Sequence, residues 1–178
     1  MGEAGRGSGQ DERYGRAAVR FAAAIERLAR GYEADRELRR DLVQEIHTAL
    51  WRSFAYFEDQ CSERSWVYRI AHNVAVSHLI ARRRIRSQSL VTLEEVAELA
   101  GPGDPEKDIE ARRLVDRLLA TIHRLKPADR QVMLLYLEEL TAAEIGEVTG
   151  LSAGAVAVRI HRIKTLLSHP FTDREAQP

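Results

Sequence analysis

The chain has 178 residues, of which 44% are hydrophobic and 6% aromatic, a length and composition that fit one or two small helical domains. Its 27 basic and 27 acidic residues give a formal net charge of zero, which argues against a non-specific nucleic-acid coat protein but permits a DNA-binding protein with segregated charges. The single cysteine excludes an internal disulfide and fits a cytoplasmic protein, the scattered histidines lack metal-ligand spacing, and no apolar run approaches the roughly 20 residues that cross a bilayer.

Residues 1–13 are glycine-rich and polar and have no apolar signal core, so we expect them to form a disordered tail. From residue 13 to residue 31 the spacing of apolar residues predicts a helix. Its apolar side would consist of Val19, Ala23, Ile25 and Leu28. We expect this helix to pack on the next one.

Residues 37–54 predict a second helix with two contrasting arcs. The apolar arc consists of Val43, Ile46, Leu50 and Phe54. The opposite arc consists of Asp41, Glu45, Thr48 and Arg52. That polar arc is either an ordinary solvated face or a docking face for a basic or mixed-charge partner helix, and the pattern by itself favours the solvated face.

A short polar stretch at residues 56–62 precedes a third helix that ends in a basic run. The buried side of this helix would consist of Val67, Ile70, Val74 and Ala81, and the outward side of Arg69, His72, Asn73, Ile80 and Arg83. The basic run consists of Arg82, Arg83, Arg84 and Arg86. Four arginines exceed what a helix C-terminus needs, so a phosphate-contacting patch is favoured. Trp66 and Tyr68 are candidates for stacking on unpaired bases; for Trp66 a core position is favoured, and for Tyr68 both interpretations stay open.

Residues 87–112 are strongly acidic and contain the breaker sequence GPGDP, which predicts a linker. The negative charge of such a linker would offset the positive charge of two basic helical units. Alternatively, the segment is only a spacer. The expected fold is therefore all-α, with two small helical domains, at residues 14–86 and 113–170, joined by an acidic linker. Residues 171–178 are expected to form a frayed tail.

The C-terminal domain is expected to be a four-helix unit whose last two helices form a helix-turn-helix. Thr141 with Glu144 matches a capping box, Gly150 matches a left-handed helix end, and Ser152 can cap the next helix. The second helix carries Arg159, Arg162 and Lys164 away from its apolar side. A helical hairpin in an unrelated all-α protein remains the alternative.

Three segments together resemble the extracytoplasmic-function sigma factors of bacterial RNA polymerase, over about residues 19–167. The first is Asp41-Leu42-Val43-Gln44-Glu45 followed by Leu50-Trp51, and the second is Arg64-x-Trp66 with Tyr68-Arg69-Ile70-Ala71-x-Asn73. The third combines Leu125-x-Pro127-x-x-Arg130 with Leu151-Ser152-x-Gly154-x-Val156-x-x-Arg159-x-His161-Arg162. Their order and spacing are more specific than any one of them.

The resemblance implies a promoter-specificity subunit without enzymatic activity, cofactor or metal, and it assigns roles to three sets of residues. Contacts to the β′ clamp of core polymerase fall on Asp41, Gln44, Glu45, Thr48 and Arg52. Contacts to the opened minus-ten element fall on Asp59, Gln60, Trp66, Arg69, His72, Asn73, Arg82, Arg83 and Arg84. Contacts to the minus-thirty-five element fall on Ser152, Ala155, Arg159, His161, Arg162 and Lys164. The family also implies contact with the β flap and inhibition by an anti-sigma factor.

The chain departs from the family pattern on the recognition helix, where Ala157 and Val158 replace a basic or polar pair and can contact only a thymine methyl. The loop before Trp66 lacks the usual proline and glycine, and His72 stands where arginine is common. Three other functions are weighed against a sigma factor: a stand-alone helix-turn-helix regulator, a helical enzyme and a protein-binding scaffold. An enzyme finds no support, because no nucleophile–base set or phosphate loop is present.

Overall fold

A computed structural model describes residues 4–88 and 107–172 of the chain, with side chains described over 9–82, 84 and 112–167. Within these ranges the chain forms seven α-helices and one 3-10 helix and contains no strand, which confirms the all-α prediction. The helices are α1 (Ala4–Tyr32), α2 (Arg36–Ser53), the 3-10 helix (Phe54–Tyr56), α3 (Glu63–Gln88), α4 (Lys107–Arg124), α5 (Pro127–Leu137), α6 (Ala142–Thr149) and α7 (Ala153–Thr172). None of the described helices is long and apolar enough to span a bilayer.

The first unit consists of α1, α2 and α3 packed around one apolar core. Helix α2 begins where the Asp35 carboxylate accepts hydrogen bonds from the backbone N–H groups of Glu37 and Leu38, at 2.9 and 3.0 Å. It buries Leu42, Ile46 and Leu50 completely and leaves its polar arc in solvent. Three of the four residues predicted for the apolar arc, Ile46, Leu50 and Phe54, are buried; the prediction was wrong only at Val43, which is partly buried while its neighbour Leu42 faces the core.

Helix α1 begins at Ala4, so the structure differs from the predicted tail over residues 4–13. Polar contacts with α2 and the segment after it explain the difference. Trp51 Nε1 donates to the Asp11 carboxylate at 2.7 Å, and Arg13 donates to the Phe57 carbonyl at 2.7 Å. The predicted apolar side of α1 was wrong at Val19, which is 83% exposed, and at Ala23, which is also exposed, because Phe21 and Ala24 face the core instead.

The second unit consists of α4 to α7, and its core contains Ile122, Leu135, Ile145, Val156 and Ile163. Helix α4 begins at Lys107, inside the predicted acidic linker. Residues 89–106 of that linker lie outside the described residues. Of the predicted C-terminal tail, residues 171 and 172 belong to α7 and the rest is likewise not described.

The helix-turn-helix forms as its sequence predicts. The Thr141 hydroxyl accepts from the Glu144 N–H at 3.3 Å, and the Glu144 carboxylate accepts from the Thr141 N–H at 2.8 Å, which completes the capping box. Gly150 ends α6 with a φ of 77°, in the left-handed region. Ser152 caps α7 by accepting from the Ala155 N–H at 3.2 Å.

We expect Gly146→Ala to lower the free energy of unfolding of the second unit by about 1–3 kcal/mol. A Cβ at position 146 would lie 2.6 Å from the Leu151 backbone carbonyl oxygen, so the turn between α6 and α7 must shift. This cost exceeds the gain in helix propensity of about 1 kcal/mol that alanine brings. Urea unfolding measures the change. Gly154→Ala is the matched control, because a Cβ there meets no atom within 4 Å. Equal stability of the two variants would contradict the expectation.

The two units pack directly against each other, with α4 and α5 against α1, and α5 and α6 against α3. Helices α1 and α5 approach so closely at Gly31 that a Cβ there would lie 2.4 Å from Leu134 Cδ2. Arg130 of α5 is buried, and its guanidinium carbon lies 5.7 Å from the centroid of the Tyr32 ring of α1. The described structure is therefore a closed arrangement of the two units.

Candidate protein and nucleic-acid interfaces

The polar arc of α2 forms one open groove on the surface of the first unit. The groove has a volume of about 390 Å³ and is lined by Ala49 and all five predicted polymerase contacts, Asp41, Gln44, Glu45, Thr48 and Arg52. All five are exposed, because the opposite face of α2 provides the apolar core. The surface offers two carboxylates at a spacing of four residues, with an arginine two turns further along. It can pair with a partner helix of mixed or basic charge.

The segment before α3 and its first two turns hold several of the predicted minus-ten residues. Asp59 takes a left-handed conformation, with a φ of 55°, and the Gln60 side chain accepts from the Glu58 N–H at 2.8 Å, so this loop has a defined shape. Trp66 is half-buried: its Nε1 donates to Ser53 Oγ at 3.0 Å, and its ring centroid lies 5.2 Å from that of Phe57. The structure thus places Trp66 at the edge of the core, as favoured from the sequence.

His72 does not project from α3 as predicted. It is completely buried, and its Nδ1 lies 3.0 Å from the Tyr32 hydroxyl of α1. Burial lowers the pKa of His72 to about 3, so the ring is neutral at physiological pH. The prediction was wrong because α3 is covered on two sides, by α1 and by the second unit, and an outward position on an isolated helix becomes an interior one here. Asn73, the next predicted residue, is exposed.

The arginines at the end of α3 lie in different environments. Arg82 forms an ion pair with Glu33, a carboxylate that is only 4% exposed and that His78 also approaches at 3.5 Å. Arg84 is exposed. The side chains of Arg83 and Arg86 lie outside the described residues. Arg82 is therefore committed to the first unit in this arrangement, and sequence reasoning did not identify its buried partner.

The predicted minus-thirty-five residues lie on two sides of α7: Ser152, Ala155, Arg159 and Arg162 recur every three or four residues on one side, and His161 and Lys164 lie on another. Exposed members of the set are Ser152, Ala155, His161, Arg162 and Lys164, and Arg159 is half-buried. Arg159 and Arg162 both approach the Asp129 carboxylate, at 3.5 and 3.1 Å. Lys164 donates to the Tyr136 hydroxyl at 2.6 Å. Arg159 and Arg162 therefore share one side of α7, but they also share an acidic neighbour that the sequence did not single out.

Glu138, at the end of α5, is the acceptor for three side chains of the first unit. Its carboxylate accepts two hydrogen bonds of 2.6 Å from Arg27 and one of 3.0 Å from the Tyr68 hydroxyl, and its carbonyl accepts from Arg64 at 2.5 Å. Burial, together with Glu138, raises the pKa of Tyr68, so the phenol keeps its proton and donates. The hydrogen bond to Glu138 also raises the pKa of Arg27.

Glu147 of α6 also makes polar contacts with the first unit, on the face of α3 that was assigned to DNA. Its carboxylate accepts from Ser65 Oγ at 2.8 Å, and its carbonyl accepts from Arg69 at 2.7 Å. Arg69 is thus occupied by the second unit in this arrangement. Sequence reasoning missed Glu138 and Glu147, because their partners lie far along the chain and no local pattern marks them.

Comparison with known families agrees with this division into two helical units. Residues 17–85 match the family model described as Sigma-70 region 2, and residues 116–167 match the model described as Sigma-70, region 4. The first match covers α1 from residue 17 onward, all of α2, and α3 as far as residue 85, and the second covers the helix-turn-helix.

Relatives of known identity cover most of the chain. The RNA polymerase sigma factor CnrH of Cupriavidus metallidurans is 31% identical over 170 residues, which are 90% of this chain and 87% of CnrH. The ECF RNA polymerase sigma-E factor of Haemophilus influenzae is 31% identical over 138 residues, which are 72% of each chain. The fold is also that of the sigma factor RpoE from Bartonella quintana, solved with the anti-sigma factor NepR, at a TM-score of 0.71 and 17% identity over 89% of this chain and 96% of that one. The chain therefore belongs to the extracytoplasmic-function sigma factors of RNA polymerase.

Proposed function

We propose that this sigma factor binds core RNA polymerase through the groove of α2 and binds promoter DNA through α3 and α7, thereby directing transcription initiation. One observation carries the proposal: the five residues assigned to polymerase lie together in one exposed groove of the region that matches Sigma-70 region 2. Their carboxylates complement a basic partner helix, which gives specificity and a fast association rate. The chain itself supplies no covalent chemistry, and the polymerase supplies catalysis.

Run-off transcription with purified core polymerase on a set of candidate promoters tests the proposal. A transcript that depends on this chain is the expected result. A stand-alone helix-turn-helix regulator, the second candidate, binds duplex DNA but neither joins the polymerase nor starts a transcript. DNA binding without polymerase binding would therefore favour the regulator.

We expect Arg159→Ala with Arg162→Ala to weaken binding to minus-thirty-five duplex DNA by roughly 10- to 100-fold, about 1–3 kcal/mol. Both arginines lie on the basic face of α7, and each lost phosphate contact also flattens the salt dependence of the affinity by about one unit. Titration of a labelled duplex at several salt concentrations measures both effects. Arg113→Ala with Arg124→Ala, two exposed arginines of α4, removes the same charge from the same unit. Equal losses in the two double variants would contradict a specific role for α7.

Asp129→Asn is expected to change the affinity for duplex DNA in the opposite direction. It removes the carboxylate that Arg159 and Arg162 share and leaves both arginines in place. Duplex DNA competes with Asp129 for the two guanidinium groups, so the variant is expected to bind DNA more tightly at low salt. Weaker binding would mean that Asp129 orients the arginines for DNA.

Contact with the opened minus-ten element falls on Trp66, Arg69 and Asn73 in this proposal. Asn73 is exposed, whereas Arg69 donates to the Glu147 carbonyl of α6. A DNA strand and α6 cannot occupy the same guanidinium face, so minus-ten binding requires the two units to separate at this contact.

An anti-sigma factor is proposed as a further partner, supported by the similar sigma factor that was solved with NepR. Such a partner acts by controlling access to α2 and α3. As a component of bacterial transcription, the protein is proposed to act in the cytoplasm, where polymerase and chromosome are.

A further inference from the structure

An apolar cavity of about 230 Å³ lies between the two units. Its walls include Leu28 of α1, Leu118, Leu119 and Ile122 of α4, and Leu134 of α5. A cavity of ~150 Å³ lined by such side chains binds benzene. The space here is therefore large enough for a molecule of one or two rings.

One polar group in the wall is without a partner. His72 lines the cavity, and its Nε2 is buried with no hydrogen-bond partner among the described residues. Its Nδ1 pairs with the Tyr32 hydroxyl. Burial raises the pKa of Tyr32, so that hydroxyl keeps its proton, and donation to Nδ1 is the arrangement that satisfies it. The neutral ring then carries its own proton on Nε2, and this N–H is an unpaired donor on a residue of the cavity wall.

The charged groups around the cavity are already paired. Arg27 forms its two hydrogen bonds with Glu138, and Arg30 pairs with Asp116 at 2.7 Å. Burying an unpaired charge in an apolar cavity is costly, so the lining disfavours a charged ligand. Val115 and Leu137, which also line the cavity, are 44% and 42% exposed and mark its opening to solvent.

We propose that this cavity is a binding site for a small, uncharged, mostly aromatic molecule that carries one hydrogen-bond acceptor, placed to receive the Nε2–H of His72. Apart from His72, which the closed arrangement buries, the site shares no residue with the assigned polymerase and promoter contacts. Because both units form its walls, the ligand binds the closed arrangement and stabilises it over any separated one.

The probes are 1-indanone and indane, two molecules of nearly the same shape of which only the first has an acceptor. Binding to the full chain is measured by NMR titration. We expect saturable binding of 1-indanone at millimolar concentration or below. Leu119→Trp fills the cavity and is expected to reduce this affinity at least tenfold. Leu114→Trp is the control, because Leu114 is on the same helix, is 54% exposed and does not line the cavity.

The role of His72 is tested by comparing Tyr32→Phe with the double variant Tyr32→Phe, His72→Phe, which leaves no orphaned hydroxyl behind. Relative to Tyr32→Phe alone, adding His72→Phe is expected to weaken 1-indanone binding about tenfold and to change indane binding less than twofold. No saturable binding to the wild-type chain would overturn the proposal. So would equal losses for both probes in the double variant, or an equal effect of the tryptophan at positions 114 and 119.

Discussion

Replacing Asp41 and Glu45 together by alanine is expected to weaken binding to core polymerase about 30-fold or more, which corresponds to about 2 kcal/mol. The two carboxylates lie one turn apart in the α2 groove and are the only acidic groups that line it. They are exposed in the free protein, so their loss changes the interface and not the core. Polymerase binding measured by fluorescence anisotropy reports the loss, and the association rate is expected to fall more than the dissociation rate rises.

A matched control separates the effect of these two positions from the effect of the change in net charge. Glu12→Ala with Glu26→Ala removes two exposed carboxylates from α1 and is expected to change polymerase affinity less than threefold. Glu45 also approaches His78 at 3.5 Å, but the Glu45 side chain is 55% exposed, so losing this contact has little effect on folding. Equal affinities of the two double variants for polymerase would show that the α2 groove is not the polymerase site.

The features that the sequence predicted correctly are those set by neighbours within one or two helical turns. The capping box of Thr141 and Glu144 spans three residues, and the left-handed end at Gly150 depends on one residue without a Cβ. The polar arc of α2 follows from the helical period alone. Each is decided by local hydrogen bonding or by periodicity, which a single sequence contains.

The features that the sequence did not reveal depend on contacts between distant segments. Glu138 meets Arg27 across 111 positions and Tyr68 across 70, and nothing in the local pattern of α5 marks it as an acceptor. His72 lies on the polar arc of an isolated α3, but the closed arrangement buries it. The cavity at His72 was likewise beyond prediction, because its walls come from four helices of both units.

Glu138→Ala is expected to shift the chain from the closed arrangement toward separated units by about 2 kcal/mol, roughly 30-fold in population. The substitution leaves the Tyr68 hydroxyl, in a residue only 4% exposed, without its acceptor and removes both hydrogen bonds from Arg27. Dyes at the exposed positions 19 and 158, with Cys61 replaced by serine, report the distance between the units by energy transfer. A labelled minus-ten single strand is expected to bind more tightly, since Arg69 is released when α6 moves away.

The shift toward separated units is expected to be large at Glu138 because its hydrogen bonds are buried. Asp116→Ala tests this reason. Asp116 also joins the units, through Arg30, but the two side chains are 51% and 49% exposed, so the pair contributes only about 0–1 kcal/mol. We expect Asp116→Ala to leave the energy transfer nearly unchanged. An equal response of the two variants would mean that long-range charge, and not the buried hydrogen bonds of Glu138, holds the units together.

Gly31→Ala is expected to shift the equilibrium between the closed and the separated arrangement without changing any charge. The new Cβ would lie 2.4 Å from Leu134 Cδ2, so α5 or its leucine must move away from α1. Within α1 alanine is favoured over glycine by about 1 kcal/mol, so the first unit is not weakened. Lower energy transfer and tighter minus-ten binding in both Gly31→Ala and Glu138→Ala, with helix content unchanged, would show that separation of the units exposes the DNA-binding face of α3. If both variants separate the units while the affinity for the single strand stays at the wild-type value, Arg69 is not a minus-ten contact.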